Sequence, residues 1–203
     1  MPKVSVLLSS YNHEKYVGEA IESVLGQTFS DLELIIFDDG SKDKSRDIIS
    51  SYKDGRIRCF LREENRGPLV CLKEALEVAV GEYVAIHHSD DVWAPDKLAK
   101  QVAFLDSHKE YAACFTWANF IDEEGESFEV PEGYFYKDVF RQENRSGAAW
   151  LRHLFDHSNC FCHPSLVIRR EMYAKCSLLP PPALLSGTCG FRPDAERRKR
   201  SEE

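Results

Sequence analysis

The chain has 203 residues, enough for one α/β domain or one domain with a partial second. Lys and Arg number 26 against 34 Asp and Glu, a formal charge of −8. That balance argues against general nucleic-acid binding, which relies on clustered cations against phosphate. Hydrophobic residues make up 43% and charged residues 30%, the balance of a packed protein, and no stretch approaches the ~20 apolar residues that cross a bilayer.

Met1-Pro2-Lys3 runs straight into an apolar strand pattern without a small-residue cleavage site, so no secretory leader is expected. The seven Cys, mostly inside apolar runs and odd in number, read as reduced thiols of a cytoplasmic protein. Cys160, Cys162 and His163 form a C-x-C-H cluster, but no second ligand pair stands at zinc-site spacing.

The first 120 residues alternate strand and helix signals. Lys3 to Ser9 reads as a buried strand, and Glu14 to Leu25 as a helix with Val17, Ala20, Ile21, Val24 and Leu25 on one face. A second strand, Leu32 to Phe37, ends at Asp38-Asp39-Gly40-Ser41, and Lys42 to Tyr52 reads as a helix capped by Ser41 or Asp43. Ile57 to Leu61 is a third strand. Pro68 opens a helix that Gly81 is expected to stop, before the strand Tyr83 to His87. Pro95-Asp96 open a further amphipathic helix, and Ala112 to Trp117 reads as a fifth strand.

Beyond residue 120 the pattern loosens. Asp122 to Glu132 reads as an acidic loop or hairpin, Ser146 caps a short helix through Leu154, and Ser165 to Ile168 reads as a strand before a helical turn from Arg170 to Lys175. From about Cys176 periodicity is lost, and the charged run Arg192 to Glu203 lacks core-forming residues, the composition of a disordered tail. The organisation expected is a donor-binding part over 1–120, a partial second part over 121–176 and a tail over 177–203.

Strand–helix alternation at this spacing predicts an α/β fold, a mostly parallel sheet covered on both faces. Ligands of such sheets bind outside the carboxyl ends of the strands, where the strand order reverses. Three predicted strands end in polar clusters: Ser9-Ser10-Tyr11-Asn12, Asp38-Asp39-Gly40-Ser41 and His88-Ser89-Asp90-Asp91. Two adjacent carboxylates after a buried strand concentrate negative charge, which a hard divalent cation such as Mg²⁺ or Mn²⁺ neutralises together with substrate phosphates. The same pair also fits a plain turn, with one Asp capping and the other solvated. Asp39 fits either a turn or an acceptor for a base or ribose. Tyr11 fits either packing or stacking on a nucleobase, and Arg66, ahead of a helix N-terminus, either an anion contact or a surface position.

Order and spacing carry more than any motif alone. VSVLLSSYN, then QTFSDLELIIFDDGS, then Asn65-Arg66-Gly67, then GEYVAIHHSDDVWAPDKL resembles the family 2 glycosyltransferases, densely over residues 3 to 120. A thinner likeness runs to about 175 through Cys162-His163-Pro164-Ser165 and Ile168-Arg169-Arg170-Glu171. The resemblance implies a GT-A-type fold and inverting transfer from a nucleoside-diphosphate sugar (UDP-, GDP- or dTDP-linked) to a glycan or lipid-linked acceptor. It implies Mg or Mn as cofactor, and a cytoplasmic protein with peripheral attachment at the inner membrane face left open. Ser9 and Tyr11 would line the nucleotide pocket, Asp39 would bind the base, and Arg66 would assist. Asp90 would contact sugar or ribose, Asp91 would hold the metal, and His163 would lie on the acceptor side. The sequence departs from the family where an acidic residue is common two places before the Asp pair, since His88 stands there. No general base is identifiable. Asp194 and Glu196 are the carboxylates nearest after the resemblance stops, in a run without structure signals. The alternative is therefore a nucleotide-sugar-binding module without turnover.

Overall fold

The computed structural model describes residues 1–132, 139–157 and 159–175. Residues 177–203, expected to form a tail, lie outside them. The described residues divide into two compact units, one holding Met1–Phe115 and His163–Lys175, the other holding those within Thr116–Cys162.

In the first unit, β1 (Val4–Ser10) leads to α1 (Val17–Leu25), β2 (Leu32–Asp38) to α2 (Ser45–Ser51), β3 (Ile57–Leu61) to α3 (Pro68–Val78), and β4 (Tyr83–His88) to α4 (Lys97–Ser107). Short β5 (Ala113–Cys114) follows, and after the second unit come a 3₁₀ turn (His163–Ser165), β8 (Val167–Arg169) and α6 (Arg170–Lys175). The sheet order is β3-β2-β1-β4-β8-β5. β1 pairs in parallel with β2 on one side and with β4 on the other, so the strand order reverses at β1.

Every residue of β2 is buried, which the Val-, Ile- and Leu-rich run makes favourable only when both sheet faces are covered. Alternation divides the core. Val6, Leu8, Leu34 and Ile36 pack with Val17 and Ile21 of α1, Ile49 of α2, and Leu98, Val102 and Leu105 of α4. Leu7, Ile35, Phe37 and Val84 face the other way, onto Cys71 and Ala75 of α3, with Tyr173 of α6 packed against them.

The sheet is mixed. β8 inserts antiparallel between β4 and β5, with Val84 opposite Ile168 and Cys114 opposite Val167. Arg169, 8% exposed, fixes this edge by donating to the Leu105 carbonyl at 2.6 Å, the Tyr111 carbonyl at 3.0 Å and the Tyr83 hydroxyl at 3.1 Å. The strand expected over Ala112–Trp117 is limited to the two residues that pair with β8.

Two glycines explain themselves by proximity. Gly40 has φ of +78°, and a Cβ there would lie 2.8 Å from the Glu64 carbonyl carbon, so the turn after β2 and the segment before α3 touch only without a side chain. At Gly81 a Cβ would lie 2.6 Å from the Ser5 nitrogen. α3 has ended earlier, at Val78. The role of Gly81 is thus close approach to β1, where its N–H donates to Ser5 Oγ at 2.8 Å, rather than the expected helix stop.

In the second unit, β6 (Phe120–Ile121) and β7 (Ser127–Phe128) form the hairpin read from the acidic stretch. Its turn closes on Asp122, which accepts the N–H groups of Glu124 and Glu126. α5 (Gly147–His157) starts where Ser146 was expected to cap it, and Ser146 Oγ accepts the Ala149 N–H at 3.4 Å.

Candidate functional site

Register brings the polar strand ends together: Ser9 lies opposite Phe37 of β2 and His88 of β4, and Ser10 lies opposite Asp38. The loops beyond them are cross-braced. Asn12, at φ of +53°, donates its N–H to the Ser41 hydroxyl oxygen at 2.9 Å and accepts the Lys42 N–H on its side-chain oxygen at 2.8 Å. His13 Nδ1 lies 2.7 Å from Ser89 Oγ, joining the β1–α1 loop to the loop after β4. Tyr11 is left 44% exposed above this frame, and Ser9 is half-buried.

Asp38 and Asp39 do different work. Asp38, fully buried, accepts the Ser41 N–H and hydroxyl, making the turn that the Asp-Gly-Ser sequence favours. Asp39, 3% exposed, accepts the Arg62 guanidinium at 3.0 Å and the backbone N–H groups of Arg66 at 3.0 Å and Gly67 at 2.7 Å. Burial pushes its pKa upward, but the Arg66 N–H, Arg62 and the Gly67 N–H together hold it below the ordinary carboxylate value. Arg62 also pairs with Glu74 of α3. Arg66 thus reaches the site through its backbone, while its side chain is 63% exposed and 3.7 Å from Glu74.

After β4, one ligand atom each from His88, Asp90 and Asp91 lie within 4.8 Å of one another. Asp91 Oδ2 is shielded from solvent and accepts no hydrogen bond among the described residues, and His88 Nδ1 lies 3.4 Å from it. An orphaned carboxylate oxygen beside a second carboxylate and an imidazole is a donor set that fits a divalent cation. His88 Nε2 lies 3.1 Å from Nδ1 of His163. Burial first, and then neighbouring His88, lower the His163 pKa to about 4, so this ring is neutral near neutrality.

The 3₁₀ turn carrying His163 is held from two sides. Trp93 Nε1–H donates to the Pro164 carbonyl at 3.0 Å, and Gln101 donates to the Ser165 carbonyl at 2.9 Å. The Trp93 ring packs at a 45° tilt against buried His87, centroids 4.4 Å apart, with Lys97 Nζ 3.8 Å over its face.

Ser9, Tyr11 and Asp39 are therefore gathered at one end of the sheet with Asp90, Asp91 and His163. Sequence reading did not find Arg62, His13 or the contact of His88 with Asp91 and His163. Arg62 follows directly on β3 and His13 lies within a polar cluster; nothing in their spacing signals a partner some 20 to 80 residues away.

Residues 5–176 match the model of Glycosyl transferase family 2. An uncharacterized glycosyltransferase of Methanocaldococcus jannaschii is 32% identical over 180 residues, covering 86% of this chain and 58% of that protein. The UDP-Glc:α-D-GlcNAc-diphosphoundecaprenol β-1,3-glucosyltransferase WfaP of Escherichia coli is 35% identical over 123 residues, 61% of this chain and 48% of that one. Among solved structures, S. aureus TarS superposes with a TM-score of 0.64 at 25% identity, covering 85% of this chain and 48% of that one. The mannosyltransferase PcManGT from Pyrobaculum calidifontis, in complex with GDP-Man and Mn²⁺, gives a TM-score of 0.52 at 27% identity, covering 59% and 36%. The chain spans about half the length of the curated relatives it matches. With the family's motifs at the carboxyl ends of a GT-A-type sheet, this chain belongs to glycosyl transferase family 2.

Proposed function

We propose that the chain binds a nucleoside-diphosphate sugar at the carboxyl ends of β1, β2 and β4, and serves inverting transfer of the sugar to a hydroxyl of a glycan or lipid-linked acceptor. The observation that carries this reading is the convergence of Tyr11, Asp39 and the Asp90–Asp91 pair where the strand order reverses. WfaP, named for a UDP-Glc donor and a diphosphoundecaprenol acceptor, and PcManGT, bound to GDP-Man and Mn²⁺, support the donor class.

In this reading the exposed Tyr11 ring stacks on the base, with Ser9 beside it. Asp39 meets the base or ribose edge while holding Arg66 and Gly67 at the start of α3. Asp90 contacts the sugar or ribose, and His163 lies on the acceptor side. Asp91, with its orphaned oxygen, holds Mg²⁺ or Mn²⁺. The bound cation offsets charge on the departing diphosphate. No helix of the described residues is long and apolar enough to cross a membrane. We place the protein in the cytoplasm, with attachment at the inner membrane face tied to the lipid-linked acceptor.

Calorimetric titration with UDP, GDP and dTDP, with and without Mn²⁺, tests the donor site. Metal-dependent binding that disappears in Asp91→Ala supports it, and failure of every nucleoside diphosphate to bind rejects it. Release or transfer of a labelled sugar then separates a transferase from a module that binds without turnover.

A further inference from the structure

We infer that His88 is a nitrogen ligand to the cation at Asp90–Asp91, and that His163 is the positioning residue that aims it. The inference rests on the reading of Asp91 as a metal site. Ligands sharing one octahedral cation at about 2.0–2.2 Å stand ~3 Å apart when adjacent and ~4.3 Å apart when opposite. The 3.4 Å between His88 Nδ1 and Asp91 Oδ2 lies close to the adjacent spacing, and one donor atom each of His88, Asp90 and Asp91 lies within 4.8 Å of the others.

The second ring nitrogen makes the argument specific. A metal-bound histidine is oriented by whatever its other nitrogen bonds, and that partner sets the tautomer. Here it is His163 Nδ1, 3.1 Å from His88 Nε2. With the Nε2–H of His88 donated to His163 Nδ1, the lone pair of His88 lies on Nδ1, the atom 3.4 Å from Asp91 Oδ2. His163 does not drift, because its turn is bonded by Trp93 and Gln101. A rigid, half-buried imidazole behind a first imidazole is a costly arrangement for a plain turn and a useful one for aiming a ligand.

The consequence is selectivity. His88 adds an uncharged nitrogen donor to a set that is otherwise the two carboxylates of Asp90 and Asp91. Oxygen donors suit both Mg²⁺ and Mn²⁺, but of the two Mn²⁺ is the first-row transition cation and the one better able to accept an imidazole nitrogen. The site should therefore prefer Mn²⁺ over Mg²⁺ by more than a site of carboxylates alone.

Pulsed EPR of Mn²⁺ bound to the full chain, alone and with UDP or GDP, reads directly coordinated nitrogen. The wild type is expected to show nitrogen hyperfine coupling and to bind Mn²⁺ at least tenfold more tightly than Mg²⁺. His88→Gln should lose the coupling and about tenfold in Mn²⁺ affinity. His88→Asp should keep metal binding, lose the coupling and narrow the Mn²⁺ to Mg²⁺ ratio, which guards against misfolding of the Gln variant. In His163→Gln the coupling should weaken while Asp91-dependent binding persists. Mn²⁺ that binds through Asp91 without nitrogen coupling overturns the role of His88 and leaves the metal site intact. Mn²⁺ that fails to bind, or binds equally in Asp91→Ala, overturns the metal site itself.

Discussion

The carboxylate of Asp39 accepts the backbone N–H of Gly67 at 2.7 Å, so the residue that follows β2 is tied to the residue just before α3. The same carboxylate is bridged to Arg62, whose side chain is only 12% exposed. Asp39→Ala removes a buried anion from a buried cation and strands two N–H groups. It should cost about 2–4 kcal/mol of stability, at the lower side of broken buried pairs because Glu74 still neutralises Arg62. Nucleotide affinity should fall at least tenfold. Urea denaturation and calorimetry read the two effects, and a variant that binds nucleotide as well as the wild type would remove Asp39 from the donor site.

Asp91 should behave in the opposite way. Its Oδ2 is shielded from solvent without a hydrogen-bond donor among the described residues, so the folded chain gains little from that charge. Asp91→Asn is expected to leave stability within about 1 kcal/mol of the wild type, or raise it, while abolishing metal-dependent nucleotide binding. Thermal melting without metal, beside titration with Mn²⁺, makes the comparison. A strongly destabilised Asp91→Asn protein would point to a structural carboxylate instead.

How much of this was legible in the sequence depends on range. β2 was readable to within a residue because a nearly continuous apolar run needs no distant partner to be recognised. The turn at Asp38-Gly40-Ser41 was readable for the same reason. β8 shows the limit: its three residues become part of the sheet only because β4 and β5 flank them, and the sequence holds no record of that antiparallel insertion. The candidate site divides likewise. Asp90 and Asp91 announce themselves as a pair, whereas the link from His88 to His163 spans 75 residues and exists only once the 3₁₀ turn is docked. Asp194 and Glu196 fall outside the described residues, and the general base stays unassigned.

Gly40 offers a test of the loop contact without touching a charged group. At φ of +78° an alanine is strained, and its Cβ would also press on the backbone of Glu64 and Asn65. Gly40→Ala should cost about 1–3 kcal/mol or more, since the obstructing atoms are main chain and cannot rotate away. Displacement of residues 64–65 would pull Arg66 and Gly67 from Asp39. The double variant with Asp39→Ala should therefore be less destabilised than the two single costs added together. Simple additivity in urea would show that the turn and the Asp39 ties are independent.

Acid should destabilise the protein well before its carboxylates titrate, because of His87. This ring is fully buried, and burial, followed by the nearby His88 and Lys97, holds its pKa well below the ordinary 6.5 against a small opposing effect of the Ala20 carbonyl. The folded chain thus keeps His87 neutral while the unfolded chain takes up the proton. The stabilisation is complete above pH 6.5 and is lost as pH falls below it, by up to about 1.4 kcal/mol per pH unit for each such histidine. His163 adds a second proton over a window that closes near its folded value of about 4. Glu33 and Asp39, whose pKa values are lowered, contribute stability that is lost only below the ordinary carboxylate range, so the two effects separate on the pH axis. His87→Phe keeps a ring against Trp93 but cannot ionise. Its urea midpoint should fall about half as steeply as that of the wild type between about pH 6.5 and pH 5, and an unchanged slope would locate the acid sensitivity elsewhere.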